Sequence, residues 1–393
     1  MDLEKKQVWA NFLHIYQPPT QFPQVLHKIA KESYEELVGV LKHNPRAKVT
    51  LNINASLTEQ LAREGLGGLV QELAELALRG QVEFTGSAKY HPILPKLPKD
   101  EIRRQIKLNE DTNKKYFGRA WSPKGFFPPE MAYSRDVAEV ATQFGFKWLV
   151  LSEYAFPESD RSSQSRVYQV KGLPIKIFFR QHELSLQVAF GQVWDKEKFW
   201  GLVRQYVGPE DYLLTAMDGE TFGHHRPNLQ RLLVDLYADE GLDPVFISDL
   251  VENFPTGGQL EPLPSSWGLE SEEFKRGIIY PRWEYPGNSI QARQWELTYL
   301  AIRVVGATDH HDSSYEAARE KLDQALHSDQ YWWAGARPNW HFRLVEIGAR
   351  LLKDAVGQAG GSSDADKIIA NQLYREIVDL GMKMHGDRVI EVK

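Results

Sequence analysis

Over roughly the first 250 residues, short apolar runs alternate with longer stretches whose apolar positions recur every three or four residues. The runs predict strands at 8–16, 47–54 (period two), 82–85, 125–128, 148–152, 212–217 and 245–248. The intervening stretches predict helices at 25–41, 57–78, 99–117, 134–143 and 228–240, with Ser134 and Asn228 as N-caps and Gly80 ending the second. Residues 167–180 read as two strands around a Gly-Leu-Pro turn, either inserted in the sheet or part of it. Strands alternating with helices predict a parallel sheet with crossover helices, closed or nearly closed as a barrel. No G-x-G-x-x-G follows a strand, which argues against a dinucleotide-binding sheet. Residues 255–286, rich in Pro, Gly, Ser and aromatics, read as long loops. Helical patterns resume at 289–305, 315–327, 339–355 and 366–384. Ser313 and Glu316 form a possible capping box, and 357–363 reads as a flexible loop.

Composition narrows the function classes. The chain has no cysteine, so disulfides, thiolate metal sites and cysteine nucleophiles are excluded. A formal charge of −6 argues against a nucleic-acid partner. The chain starts with charges and a short apolar run, and nowhere holds about 18 consecutive apolar residues. The expectation is a cytoplasmic protein without a membrane partner; oligomeric state is not legible. Of 11 tryptophans, Trp267, Trp283, Trp295, Trp332, Trp333 and Trp340 fall within 267–340. Such rings stack on sugars or fill cores.

In a parallel barrel, chemistry collects at the carboxyl ends of the strands. There the sequence places His14 and Gln17; Glu83, followed by Lys89, Tyr90 and His91; Glu130 in GFFPPEMAYS; and Asp218, Glu220, His224 and His225 in TAMDGETFGHH. Carboxylates are rarely buried without a partner or a task. Pro128 and Pro129 stiffen the approach to Glu130, and Asp218 follows an apolar run. Two carboxylates, one ionised and one protonated, are the minimal equipment for glycosidic cleavage. Helix caps or salt-bridged carboxylates are the competing reading.

Five segments in order, HIYQP (14–18), GQVEFTGSAKYHPILP (80–95), GFFPPE (125–130), MDGETFGHH (217–225) and SDQYWW (328–333), resemble the motifs of glycoside hydrolase family 57. Tyr16 stands where the first motif often has a second histidine. The resemblance implies an incomplete (β/α)7 barrel over 1–253, aromatic-rich active-site loops over 254–290, and a helical region over 291–393 that completes the active site. It implies a retaining hydrolase or transglycosylase on α-linked glucans (α-amylase or 4-α-glucanotransferase-like), with Glu130 as nucleophile and Asp218 as acid/base. His14, Glu83, Glu220 and Asp329 resemble substrate-site residues. Gln17, His91, His224, His225, Trp267, Trp332 and Trp333 are further candidates for sugar contacts, one of the last two as a stacking platform. No cofactor and no metal are expected. Rival readings are an α-galactosidase of the same family, a metal-dependent polysaccharide deacetylase using the run Asp309–Asp312 or His224 and His225, and a non-catalytic glucan-binding protein.

Overall fold

A computed structural model describes residues 6–157, 165–335 and 340–391. They form two compact units. The first comprises residues up to Gln17, Gln21–Lys89 and Leu94–Trp267; the second comprises Pro18–Thr20, Tyr90–Ile93 and the chain from Gly268 onward. The division therefore falls inside the 254–290 stretch.

The first unit holds one curled sheet of ten strands: β1 Gln7–Ile15, β2 Val49–Ile53, β3 Val82–Gly86, β4 Gly125–Phe126, β5 Trp148–Leu151, β6 Val167–Val170, β7 Lys176–Phe179, β8 Leu213–Asp218, β9 Leu242–Val245 and β10 Thr256–Leu260. Their order is β10-β6-β7-β5-β4-β3-β2-β1-β8, and β9 pairs with the start of β1. All pairs are parallel except β6 with β7. Of the two strands in 167–180, β7 lies in the parallel sheet beside β5, while β6 is an inserted arm that carries β10. β10 occupies a segment expected to be loop; its TGGQL sequence gives no strand signal. β9 falls three residues earlier than expected, because Ile247 opens a helix. The incomplete barrel is present in this sheet with its helices.

Both faces of the sheet are covered, so its strands are nearly continuous apolar runs. On β1, Trp9, Leu13 and Ile15 pack against the helices with Leu37, Leu57 and Leu233. Ala10 and Phe12 face the other way, into a core with Phe127, Trp148, Phe178, Leu214 and Ala216. Gly125 is required by that packing: a Cβ there would lie 2.2 Å from the Trp148 ring.

Helices depart from expectation mainly at their ends. The pattern at 25–41 forms Pro23–Ile29, a π-helical turn Ala30–Tyr34, and Glu35–His43. The pattern at 57–78 splits into Ala55–Arg63 and Gly67–Leu78, with Gly65 at φ 79° in the break. Ser134 sits at the N-cap of Arg135–Gln143 but makes no side-chain cap bond. Asn228 precedes the cap of its helix and is left-handed, at φ 70°.

The second unit is helical: Ser289–Gly306, Tyr315–Ala325, Asp329–Gly335, Phe342–Gln358 and Asp364–Glu391. Trp295 stacks on Tyr331 at 4.1 Å in its core. The expected helix start at Asn339 lies outside the described residues. Instead of the Ser313–Glu316 box, Asp312 accepts from the Ser314 backbone and hydroxyl. Among the described residues no helix is long and apolar enough to cross a membrane.

Candidate active site

The carboxyl ends of β8, β1, β2 and β3 carry a row of polar side chains in register: Asp218, His14, Asn52 and Thr85. Residues in register on adjacent strands share a face. Two hydrogen bonds run along the row. Asn52 Nδ2 donates to Thr85 Oγ1 at 3.1 Å, which turns Asn52 Oδ1 to His14 Nδ1 at 2.7 Å. Neutral His14 therefore carries its proton on Nδ1 and a lone pair on Nε2. His14 is 4% exposed, and Asp218 is half-buried beside it.

Glu130 comes from the turn after β4. Its backbone is left-handed (φ 61°, ψ 18°), as is that of Met131 (φ 48°). Non-glycine residues adopt this conformation at a cost of about 1–2 kcal/mol, and such strain clusters at functional sites. The preceding prolines and a clamp from Trp267 hold it in place. The Trp267 backbone N–H donates to the Glu130 carbonyl at 2.9 Å, and its indole N–H donates to Glu130 Oε2 at 2.5 Å. Trp267 thus binds the carboxylate directly, a role its sequence context did not suggest. Its ring meets His14 edge-on, with centroids 5.9 Å apart. His14 is thus the register neighbour of Asp218, and its ring packs against the Trp267 ring that binds Glu130.

Glu220 follows Asp218 on a short turn and is 4% exposed. Its Oε1 accepts from Tyr34 at 2.5 Å, from the Tyr16 backbone at 3.2 Å and from Gln17 at 3.3 Å. Burial, and then the charge of Asp218, push its carboxyl up to about 7. Gln17 also accepts from Gln21 at 2.8 Å, so its amide supports the site from within.

The remaining candidates are placed differently. Glu83 shares the inward face of β3 with Thr85 but sits two residues earlier, at the level of Phe12. That is about 7 Å deeper along the strand. There it accepts from Thr50 Oγ1 at 3.1 Å and the Ser248 backbone at 3.3 Å, and burial raises its pKa. The structure does not bring it to the row of His14 and Asp218: the alternation gave its face and not its depth. His224 bonds Glu32 at 2.7 Å, and His225 is exposed, with its ring centroid 5.3 Å from that of His224. His91, Asp329, Trp332 and Trp333 belong to the second unit. His91 is buried at φ 55°, its Nδ1 3.0 Å from Ser328 Oγ. Asp329 opens a helix 3.5 Å from His327, and Trp332 and Trp333 meet edge-to-face at 4.7 Å. Asp309–Asp312 is an exposed turn into a helix, in which Asp309 accepts the His311 N–H.

Several supporting residues were not singled out in the sequence. Tyr34 and Asn52 hold Glu220 and His14. At the ends of β5 and β7, Glu153 pairs with Arg180 at 3.0 Å. Arg180 donates to the Trp267 carbonyl at 3.3 Å, with its guanidinium 5.8 Å from the Trp267 ring. Arg180 and His182 hold the Glu153 carboxyl down to about 2 despite burial. A carboxylate and an arginine at the ends of two strands were the available signal.

The profile of glycosyl hydrolase family 57 matches residues 4–255. An α-amylase of Pyrococcus abyssi is 22% identical over 284 residues, covering 67% of this chain and 42% of the amylase. A 4-α-glucanotransferase of Thermococcus litoralis is 24% identical over 282 residues, covering 67% and 42%. The chain thus spans less than half the length of these curated relatives. The crystal structure of a family 57 branching enzyme from Thermococcus kodakaraensis superposes with a TM-score of 0.73 at 16% identity, covering 95% of this chain and 94% of that one. At that identity the likeness shows a shared fold. The profile match covers well over half of the chain, including the strand ends that carry Asp218, His14 and Glu130: the chain belongs to glycosyl hydrolase family 57.

Proposed function

We propose that the protein is a retaining glycosidase or glucanotransferase acting on α-linked glucans in the cytoplasm by double displacement. Glu130 attacks the anomeric carbon while Asp218 protonates the departing oxygen. Water or a sugar hydroxyl then resolves the glycosyl-enzyme, with Asp218 as base. The observation that carries this reading is that Asp218 pairs in register with His14, whose ring packs against the Trp267 that binds Glu130, all at the carboxyl ends of one parallel sheet. Only retention uses a carboxylate as nucleophile, at a separation of about 5–5.5 Å. The indole N–H on Glu130 favours the ionised form that a nucleophile needs.

Glu130→Gln and Asp218→Asn are expected to lower kcat on amylose by at least roughly a thousandfold with the fold intact. NMR of the first product must show the α-anomer; β-anomer release would indicate inversion. A product profile on maltooligosaccharides separates hydrolysis from transfer, and α-galactosides in parallel test the galactosidase alternative. The deacetylase alternative needs clustered metal donors; no three His, Asp or Glu side chains come together as a metal site among the described residues. For Asp329, Trp332 and Trp333 the motif resemblance supports a sugar-binding role, and Asp329→Ala is expected to raise KM more than it lowers kcat.

A further inference from the structure

A π-helical turn places extra backbone in a helix and re-aims the side chains that follow, and such turns recur at functional sites. The turn Ala30–Tyr34 has this form, and three successive residues of it grip the loop after β8. Glu32 bonds His224 at 2.7 Å, the Ser33 hydroxyl donates to the Gly219 carbonyl at 2.9 Å, and Tyr34 donates to Glu220 at 2.5 Å. The contact is close enough to require glycine: a Cβ on Gly223 (φ 112°) would lie 1.8 Å from the Glu32 carbonyl oxygen. Tyr34 is 2% exposed. Burial and the Glu220 charge push its phenol well above the ordinary value, so it stays a donor.

We propose that Tyr34 is a positioning residue for proton transfer: its hydroxyl holds the Glu220 carboxylate beside Asp218 and biases their shared proton onto Asp218. This rests on the reading of Asp218 as acid/base. Glu220 follows Asp218 by two residues at the end of β8, and the Asp218 charge raises its carboxyl, so the two titrate as a coupled pair. With one proton in the pair, cleavage needs it on Asp218, with Glu220 ionised. The Tyr34 hydroxyl stabilises ionised Glu220, and so favours that arrangement over its inactive tautomer. The segments that touch Glu220 carry, as titratable and charged groups, Tyr34 and Glu32 on the π turn, His14 and Tyr16 on β1 and its end, and Asp218, His224, His225 and Arg226 on its own loop.

Tyr34→Phe removes only the hydroxyl. The proton then shifts toward Glu220, and the doubly ionised pair becomes harder to form. On amylose the plateau of kcat/KM is expected to fall roughly tenfold, and the alkaline limb to move to higher pH by roughly half a unit or more. Cleavage of 2-chloro-4-nitrophenyl α-maltotrioside, whose phenoxide leaves with little protonation, should fall less. Glu220→Gln should move the limb the other way, because Asp218 then loses its charged neighbour, and Tyr34→Phe should add no limb shift in that background. A plateau and limb like wild type, or a lowered plateau with an unmoved limb, overturns the proposal. If Tyr34→Phe does not fold, the Glu220→Gln profile decides, and an unmoved limb overturns it. Asp218→Asn run alongside separates the two readings: undiminished amylose cleavage there removes the acid/base assignment itself, whatever the Tyr34 variants show.

Discussion

At the scale of single residues, the site depends on donors aimed at carboxylates. Glu130 receives one indole N–H at 2.5 Å, and a hydrogen bond to a charged group contributes about 1.5–3 kcal/mol. Trp267→Phe keeps the ring and removes the donor. It should lower kcat roughly ten- to hundredfold with KM less affected. Glu130 must be ionised to attack, and loss of the donor makes ionisation harder, so the acid limb should move to higher pH. A pH–rate profile with an unshifted acid limb would reject the clamp. The place of the two proposed catalytic carboxylates after short strands was legible in the sequence, as were the motifs that hold them. Their partners were not. Tyr34 lies 186 positions from Glu220, and Trp267 lies 137 from Glu130; no local pattern encodes such pairings.

At the scale of elements, short apolar runs located most of the barrel strands because both faces of the sheet exclude water. They missed β10, where pairing with β6 rather than sequence makes the strand. The hydrophobic pattern could not reveal the π turn, since 25–41 has the same helical periodicity with or without one extra residue. The contact between that turn and the loop after β8 predicts the behaviour of Gly223. An added methyl would meet a backbone carbonyl in a positive-φ conformation. Gly223→Ala should cost about 2–4 kcal/mol and reduce activity along with stability, as read by denaturant unfolding and amylose assay together. Unchanged stability would mean that the turn and the loop separate easily.

For the whole molecule, pH links fold and charge. Glu110, on the helix Lys99–Phe117, accepts from the Trp121 indole at 2.8 Å. Burial raises its carboxyl from 4.5 to about 7. In that interval the folded chain holds a proton that the unfolded chain has released. The resulting stability is fully present below about pH 4.5 and is lost as pH rises through about 7. Glu110→Gln keeps an acceptor for Trp121 and has no charge to bury. It should match wild type near pH 4 and exceed it by up to about 3 kcal/mol at pH 8. Denaturant unfolding at the two pH values checks this, and a variant less stable than wild type at pH 8 would contradict it.

The hydrophobic pattern by itself determined the parallel α/β architecture and the helical C-terminal region, because burial on both faces makes a strand apolar throughout while burial on one face makes a helix apolar every 3.6 residues. Ordered motifs placed the chain with a family and marked Glu130 and Asp218. Tertiary structure alone decided which residues serve those carboxylates. It put Glu83 a layer beneath the site, turned Trp267 into a ligand of Glu130, and brought Tyr34 and Gln17 onto Glu220. The reason is physical: periodicity specifies the face a side chain points to. Its depth along the strand and its partner across the fold are fixed only by strand register and by close packing between segments distant in sequence.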